Sequence, residues 1–239
     1  MAKTSGLNVR IYAEGYDLNT DVNSLSGVGY TQELLDTTAL ATTARTRIIG
    51  TNDSALTVNG WFDAGTGLSH ALWTSNSGKK PTADQEVIVA LGTSRGDPTV
   101  CLSAKQASYE ISRAPASAIA TTVEYIEADG NGTEFGVLLT ADKQTDSSAA
   151  NTASVDNGAS SAGGLSGFIS AMSLASGTAT VKIQHSTNDS AWSDLVSFTA
   201  VTGQTAERIS VTGTVNRYIR VSTSGTFSNL VFVVSANRL

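Results

Sequence analysis

Apolar and polar residues alternate along most of this chain with a period of two. The first segment with that pattern is Leu7–Ala13, where Leu7, Val9 and Ile11 share a face. Gly15-Tyr16-Asp17 turns the chain and Ser24–Leu34 extends again. Ser54–Phe62 alternates cleanly, with Leu56, Val58 and Phe62 on one side and Thr57, Asn59 and Trp61 on the other. Further strands are predicted at Glu86–Leu91, Thr99–Ala104, Ala107–Arg113, Ile119–Glu127 and Glu134–Thr140. A helical period occurs at residues 67–77, where Leu68, Ala71, Leu72 and Ser75 form a narrow stripe. Thr66 can cap its start, and Gly78, Lys79, Lys80 and Pro81 stop it. A second strand series follows at Gly167–Leu174, Thr178–Ser186, Leu195–Ala200, Glu207–Val211, Val215–Thr223 and Phe227–Ala236. Within the last of these, Leu230–Val234 reads as a central strand buried on both faces.

Between the two series, Ala141–Gly164 is rich in Ser, Ala, Gly and Asp and almost free of large apolar residues. That composition predicts an extended linker or loop. The expected layout is a β-barrel or sandwich with one helix over residues 1–140, a linker over 141–164, and an antiparallel sandwich of jelly-roll or Ig-like type over 165–239. The fold class is all-β with one short helix. Composition agrees: Ser and Thr occupy 61 of 239 positions, while charged residues make up 15%, below the ~25% of an average domain.

Chemistry is sparse. One cysteine, Cys101, excludes an internal disulfide, and two histidines, His70 and His185, leave little room for histidine catalysis. Neither histidine lies in a nucleophile elbow or a Ser-His-Asp order. Cys101 sits between Val100 and Leu102 and reads as a small buried hydrophobe. Asp129-Gly-Asn131-Gly-Thr133 has oxygen side chains at alternate positions, but Glu134 and Ala141 stand where a calcium loop needs Gly and a bidentate Glu. A hairpin turn is the better reading. Glu124 and Glu127 alternate to opposite faces and do not form a glycosidase pair. The expectation is no enzyme, no metal and no cofactor. Met1–Val9 turns polar too early for a targeting segment, and Leu230–Val234 is too short to span a membrane.

Charge is divided unevenly. Residues 1–140 carry 15 acids and 9 bases, and the remainder carries 6 of each, for a net −6. An acidic first part disfavours adhesive contact with nucleic acid.

One segment does not fit a bland scaffold. Asp36–Gly50 reads as a loop of about fifteen residues carrying Leu40, Ile48, Ile49, Arg45 and Arg47. Apolar residues with arginine are interface composition, and long loops in compact domains tend to be functional.

Around this loop the chain resembles the major tail (tail tube) proteins of long-tailed bacteriophages. The resemblance covers roughly residues 5–130. It runs from Ser24-Leu-Ser26 to Leu35-Asp36-Thr37-Thr38, then Arg45/Arg47-Ile48-Ile49-Gly50, then Leu56-Thr-Val58-Asn-Gly60-Trp-Phe62-Asp63 and a short helix. Order and spacing carry it rather than any single motif. It implies a β-barrel with a flanking helix, assembled into stacked hexameric rings around a DNA conduit, in a virion tail put together in the host cytoplasm. It implies contacts with other copies and other virion proteins, with Leu35, Asp36, Leu40, Arg45, Arg47, Ile48 and Ile49 reaching a neighbour. DNA would pass without specific binding, and Glu110 and Glu124 are candidate lumen acids because each alternates out of an apolar face. The second part, with Val181-Lys-Ile-Gln-His185 and Gly213-Thr-Val-Asn-Arg-Tyr218-Ile-Arg220, looks like β-sandwich modules of phage structural proteins. The alternatives are a head decoration or other virion surface protein, or a module gripping glycans through Trp192 or Tyr218.

Overall fold

A computed structural model describes residues 6–41, 43–65, 67–75 and 78–239. A short 3-10 turn at Gly6–Asn8 leads into β1 (Arg10–Ala13), β2 (Tyr16–Asp17), β3 (Val22–Ser26), β4 (Thr31–Asp36), β5 (Arg47–Asp53) and β6 (Ala55–Trp61). After α1 (Ser69–Trp73) come β7 (Gln85–Ala90), β8 (Pro98–Ser112), β9 (Ala120–Glu127) and β10 (Glu134–Leu138). The rest of the chain forms β11 (Gln144–Asp146), β12 (Val155–Asp156), β13 (Leu165–Ser186), β14 (Ser193–Ser197), β15 (Thr205–Val211) and β16 (Tyr218–Arg238). Among the described residues the protein is all-β with one short α-helix, as expected.

Among the described residues, fourteen strands join one antiparallel sheet network, and β4 and β5 form a separate pair. Two strands tie the network together. The first half of β8 lies between β7 and β10, while its second half pairs with β9. β16 pairs with β13 from Leu165↔Arg238 to Ser186↔Tyr218 and also borders β10, β11 and β12.

Several expected breaks in the sheet are bends. The strands expected at Thr99–Ala104 and Ala107–Arg113 are one strand, β8, with a register shift between Gln106 and Ser108. The four expected at Gly167–Leu174, Thr178–Ser186, Val215–Thr223 and Phe227–Ala236 are two, β13 and β16. Gly177 at φ +86° and Gly225 at φ +109° turn both strands without ending their pairing. A glycine can take this left-handed conformation where a side chain would strain it.

The stretch 141–164, expected as a linker, is laid along β16. β11 and β12 pair with it, Thr152 N–H donates to Val221 O at 2.9 Å, and Thr223 N–H donates to Ala150 O at 2.8 Å. Small polar residues hold this segment by backbone hydrogen bonding, which composition does not register. The helix is five residues long rather than eleven and buries Ser69, Leu72 and Trp73. Leu68 stands at its N-cap without a side-chain cap bond. The expected cap Thr66 and residues 76 and 77 lie outside the described residues.

Three apolar cores result. One fills the first half around Ile11, Leu18, Leu56, Val58, Val89, Val123 and Tyr125. Another fills the second around Ile169, Val181, Ile219, Phe232 and Val234. The third is shared: Tyr12, Ile88, Cys101 and Leu138 pack with Phe168 and Val233. Fully burying a large apolar side chain is worth roughly 1.5–3 kcal/mol, so the seam is a substantial part of the fold.

Candidate assembly interface

Part of the expected loop is strand. β5 starts at Arg47, so Asp36–Gly50 comprises the end of β4, a ten-residue tip and the start of β5. The hairpin pairs Leu34↔Ile49, Leu35↔Ile48 and Asp36↔Arg47. Directly paired residues share a face and successive residues alternate. One face therefore carries Leu34, Ile49, Asp36 and Arg47, and the other carries Leu35 and Ile48. Neither face is covered. Leu34 is 59% exposed, Ile48 55%, Ile49 64%, and Leu40 at the tip is fully exposed. Arg45 and Arg47 are exposed as well.

The base of the tip is ordered locally. Asp36 Oδ1 accepts the Thr38 N–H at 2.9 Å and the Thr38 hydroxyl, and Thr37 N–H donates to Thr46 O at 2.9 Å. The Thr38 bonds hold the Asp36 carboxyl below the usual range, so it stays ionised. At the root, Tyr30 meets Phe135 edge to face with ring centroids 6.1 Å apart.

Glu110 and Glu124 share a second surface. On β9, Thr121, Val123 and Tyr125 are buried, which turns Thr122, Glu124 and Ile126 outward. Glu124 sits opposite Thr57 on β6 and Ser108 on β8, and Glu110 sits opposite Thr122. Asn59 Oδ1 accepts the Thr122 hydroxyl at 3.0 Å, and this face carries two carboxylates among Ser, Thr and Asn side chains, with Trp61 and Ile126 exposed toward its ends. Lys105, at its far end, is paired with Asp84.

The remaining sequence candidates are structural in their surroundings. His70 Nδ1 is 2.8 Å from the Tyr109 hydroxyl, and His185 Nδ1 accepts the Asn216 N–H at 3.2 Å. Cys101 is fully buried, and burial pushes its thiol up to about 12. Asp129 and Glu127 accept the N–H groups of Asn131 and Gly130, a closed hairpin turn. Trp192 carries Arg220 over its ring at 4.2 Å, and Tyr218 carries Arg217 at 4.9 Å. Among the described residues no group of three His, Cys, Asp or Glu side chains is placed to hold a metal ion, and no helix is long and apolar enough to cross a membrane.

Two features escaped sequence reasoning. Arg208 on β15 forms a two-pronged pair with Glu134 on β10, whose carboxylate also accepts the Ser166 hydroxyl at 2.9 Å. Beside it, burial raises Glu86 to about 7; the Ser103 hydroxyl opposes the rise and Glu14 adds to it. Partners 74 residues apart leave no spacing signal.

No protein-family model matches this chain, and no curated protein matches it in sequence. Similar solved structures include the tube-terminating cap of an anti-feeding prophage. It is 10% identical, with TM-score 0.45 over 57% of this chain and 93% of that chain. The sheath-tube complex of an extracellular contractile injection system (PVC) is 12% identical, with TM-score 0.44 over 56% and 92%. The Dit protein of phage SPP1, described as a hub of the adsorption apparatus, is 11% identical, with TM-score 0.38 over 97% and 99%.

Proposed function

We propose that this chain is a structural subunit of a bacteriophage tail, polymerising into stacked hexameric rings of a tube that conducts DNA. The carrying observation is the β4–β5 hairpin. It lies within the segment whose order and spacing resemble tail tube proteins, and it leaves apolar pairs open on both faces. A two-stranded hairpin is marginal alone, and paired apolar residues on two open faces call for partners on both sides.

The face bearing Glu110 and Glu124 is our candidate lumen wall. Its Ser, Thr and Asn side chains offer no cluster of cations to phosphate, and repeated carboxylates repel a duplex within about a Debye length, ~8 Å at physiological salt. In this reading the 165–239 part faces outward in the virion, beside other virion proteins.

Sedimentation velocity and negative-stain imaging of the full chain test the proposal. Rings or tubes are expected, lost on Leu34→Ser/Ile49→Ser substitution while the circular dichroism spectrum is kept. An unchanged assembly in that variant, or tight salt-sensitive DNA binding by the assembled protein, counts against it.

A further inference from the structure

The Asp129-Gly-Asn131-Gly-Thr133 run, which fails as a calcium loop, holds one of three Asn-Gly pairs in the chain. The others are Asn59-Gly60 and Asn157-Gly158. An asparagine side chain is thermolabile, and a following glycine has no side chain to shield the backbone nitrogen that attacks it. The reaction needs a free side-chain amide, a backbone that can swing, and a base at the glycine N–H.

The fold supplies these unequally. Asn59 lies inside β6, where Gly60 is paired with Val22 and Thr121 and the Asn59 amide oxygen accepts the Thr122 hydroxyl. Asn157 is tied to the main chain beside β16: its backbone N–H and its Nδ2 both donate to Arg217 O, each at 3.0 Å. Gly158 N–H meets a carboxylate, Asp156 Oδ1 at 2.8 Å. The two-pronged hydrogen bonds from Arg217 hold that carboxyl down to about 2, which makes it a poor base.

Asn131 is exposed, in the turn between β9 and β10. Among the described residues its side chain is held only by Asp129 Oδ2, in the same turn, at 2.6 Å. Gly132 N–H donates to Glu127 Oε1 at 3.3 Å, and Gly130 N–H donates to the same oxygen. A carboxylate therefore stands within reach of the attacking nitrogen. Gly132 is packed beside the Asn52 side chain, so the Asn131 side chain is the part that moves.

We infer that Asn131-Gly132 is a self-modification site, converting with time to aspartate and isoaspartate with Glu127 as the base. The Gly132 nitrogen gives its proton to Glu127 and bonds to Asn131 Cγ. The side-chain nitrogen takes a proton back and leaves as ammonia, which closes a succinimide ring. Water then opens the ring at either carbonyl. Breaking the new N–Cγ bond gives aspartate; breaking the original peptide bond gives isoaspartate, with the main chain rerouted through the side chain. Either product puts a carboxylate where Asp129 Oδ2 had an amide donor. Asp129 lies 3.7 Å from Arg208, the guanidinium that holds Glu134 across the seam. Each copy thus gains a negative charge beside the seam as it ages, whatever it assembles into.

The test holds the full-length chain at pH 8 for days, native and in urea, and follows each Asn-Gly pair by peptide mass spectrometry. In urea the three pairs should convert alike. In the native protein Asn131 should convert first, with ammonia release and a growing acidic band on native focusing gels, while Asn59 and Asn157 stay amides. This comparison needs no variant. Glu127→Gln, which keeps an acceptor in place, should slow native conversion at Asn131 by about tenfold or more and leave the urea rate unchanged. An Asn131 as protected in the native protein as Asn59, or an Asn157 that keeps pace with it, overturns the site. Undiminished native conversion in a folded Glu127→Gln protein overturns the role of Glu127.

Discussion

Arg208 reaches from β15 across the seam to close on Glu134 of β10, with Nη2–Oε1 at 2.6 Å and Nε–Oε2 at 3.2 Å. Asp129 adds a longer contact at 3.7 Å, and the guanidinium lies over the Phe168 ring at 5.8 Å. The pair is largely withdrawn from water, so deleting one partner leaves a buried charge behind.

Arg208→Ala should therefore destabilise the protein by about 3–5 kcal/mol, whereas removing the exposed Arg217–Asp156 pair should have little effect, because water already screens it. Urea melts of the two variants measure the contrast. Equal, small effects would show that the seam pair is solvated.

Glu86 gives a pH signature. Its carboxyl is raised to about 7 in the fold, so between about 4.5 and 7 the native state holds a proton that the unfolded chain has released. Stability falls as pH rises through that window. Glu86→Gln keeps an acceptor for Ser103 and should flatten this fall, with a gain of about 1–2 kcal/mol at pH 8 after discounting for partial solvation. Melting temperatures at pH 5 and pH 8 decide it; parallel pH profiles in the two proteins would refute the assignment.

Gly177→Ala should cost more than 1 kcal/mol. The added Cβ would sit 2.1 Å from Thr226 O at a φ of +86°. Gly203→Ala, with nothing within 4 Å of a Cβ and no positive φ, should be near neutral. Thermal melts that rank them the other way would mean that β13 does not bend at Gly177.

Cutting the chain near Asp142 should yield an insoluble first half. Tyr12, Ile88, Cys101 and Leu138 would lose Phe168 and Val233, and β10 would lose its β16 neighbour. A soluble, cooperatively melting fragment of residues 1–142 would show that the seam core is dispensable.

How much of this was legible in the sequence depends on the range of the interaction. Leu56 and Val58 alternate with Thr57 and Asn59 and face the core as read, because period-two burial is local. The apolar, Arg-bearing character of 36–50 was visible, but its pairing was not, since Leu34↔Ile49 spans the tip. Gly177 and Gly225 fall between segments expected as separate strands; they bend paired strands instead, because the neighbouring strand continues past them. Residues 144–156 looked structureless because they are held by main-chain bonds to β16 rather than by apolar side chains. Arg208 and Glu134 could not be matched at all without the fold.

The pairing of β10 with β16 also sets a clock. Val137 lies against Ala236, about a hundred residues later in synthesis. At ~5–20 residues per second, roughly 5–20 s separate the two on the ribosome. Throughout that interval β10 presents an unpaired edge, and the seam around Leu138 and Ile88 stands uncovered. A nascent chain is most exposed to mispairing with its neighbours on the same message during this wait, and slower translation of the second half would lengthen it.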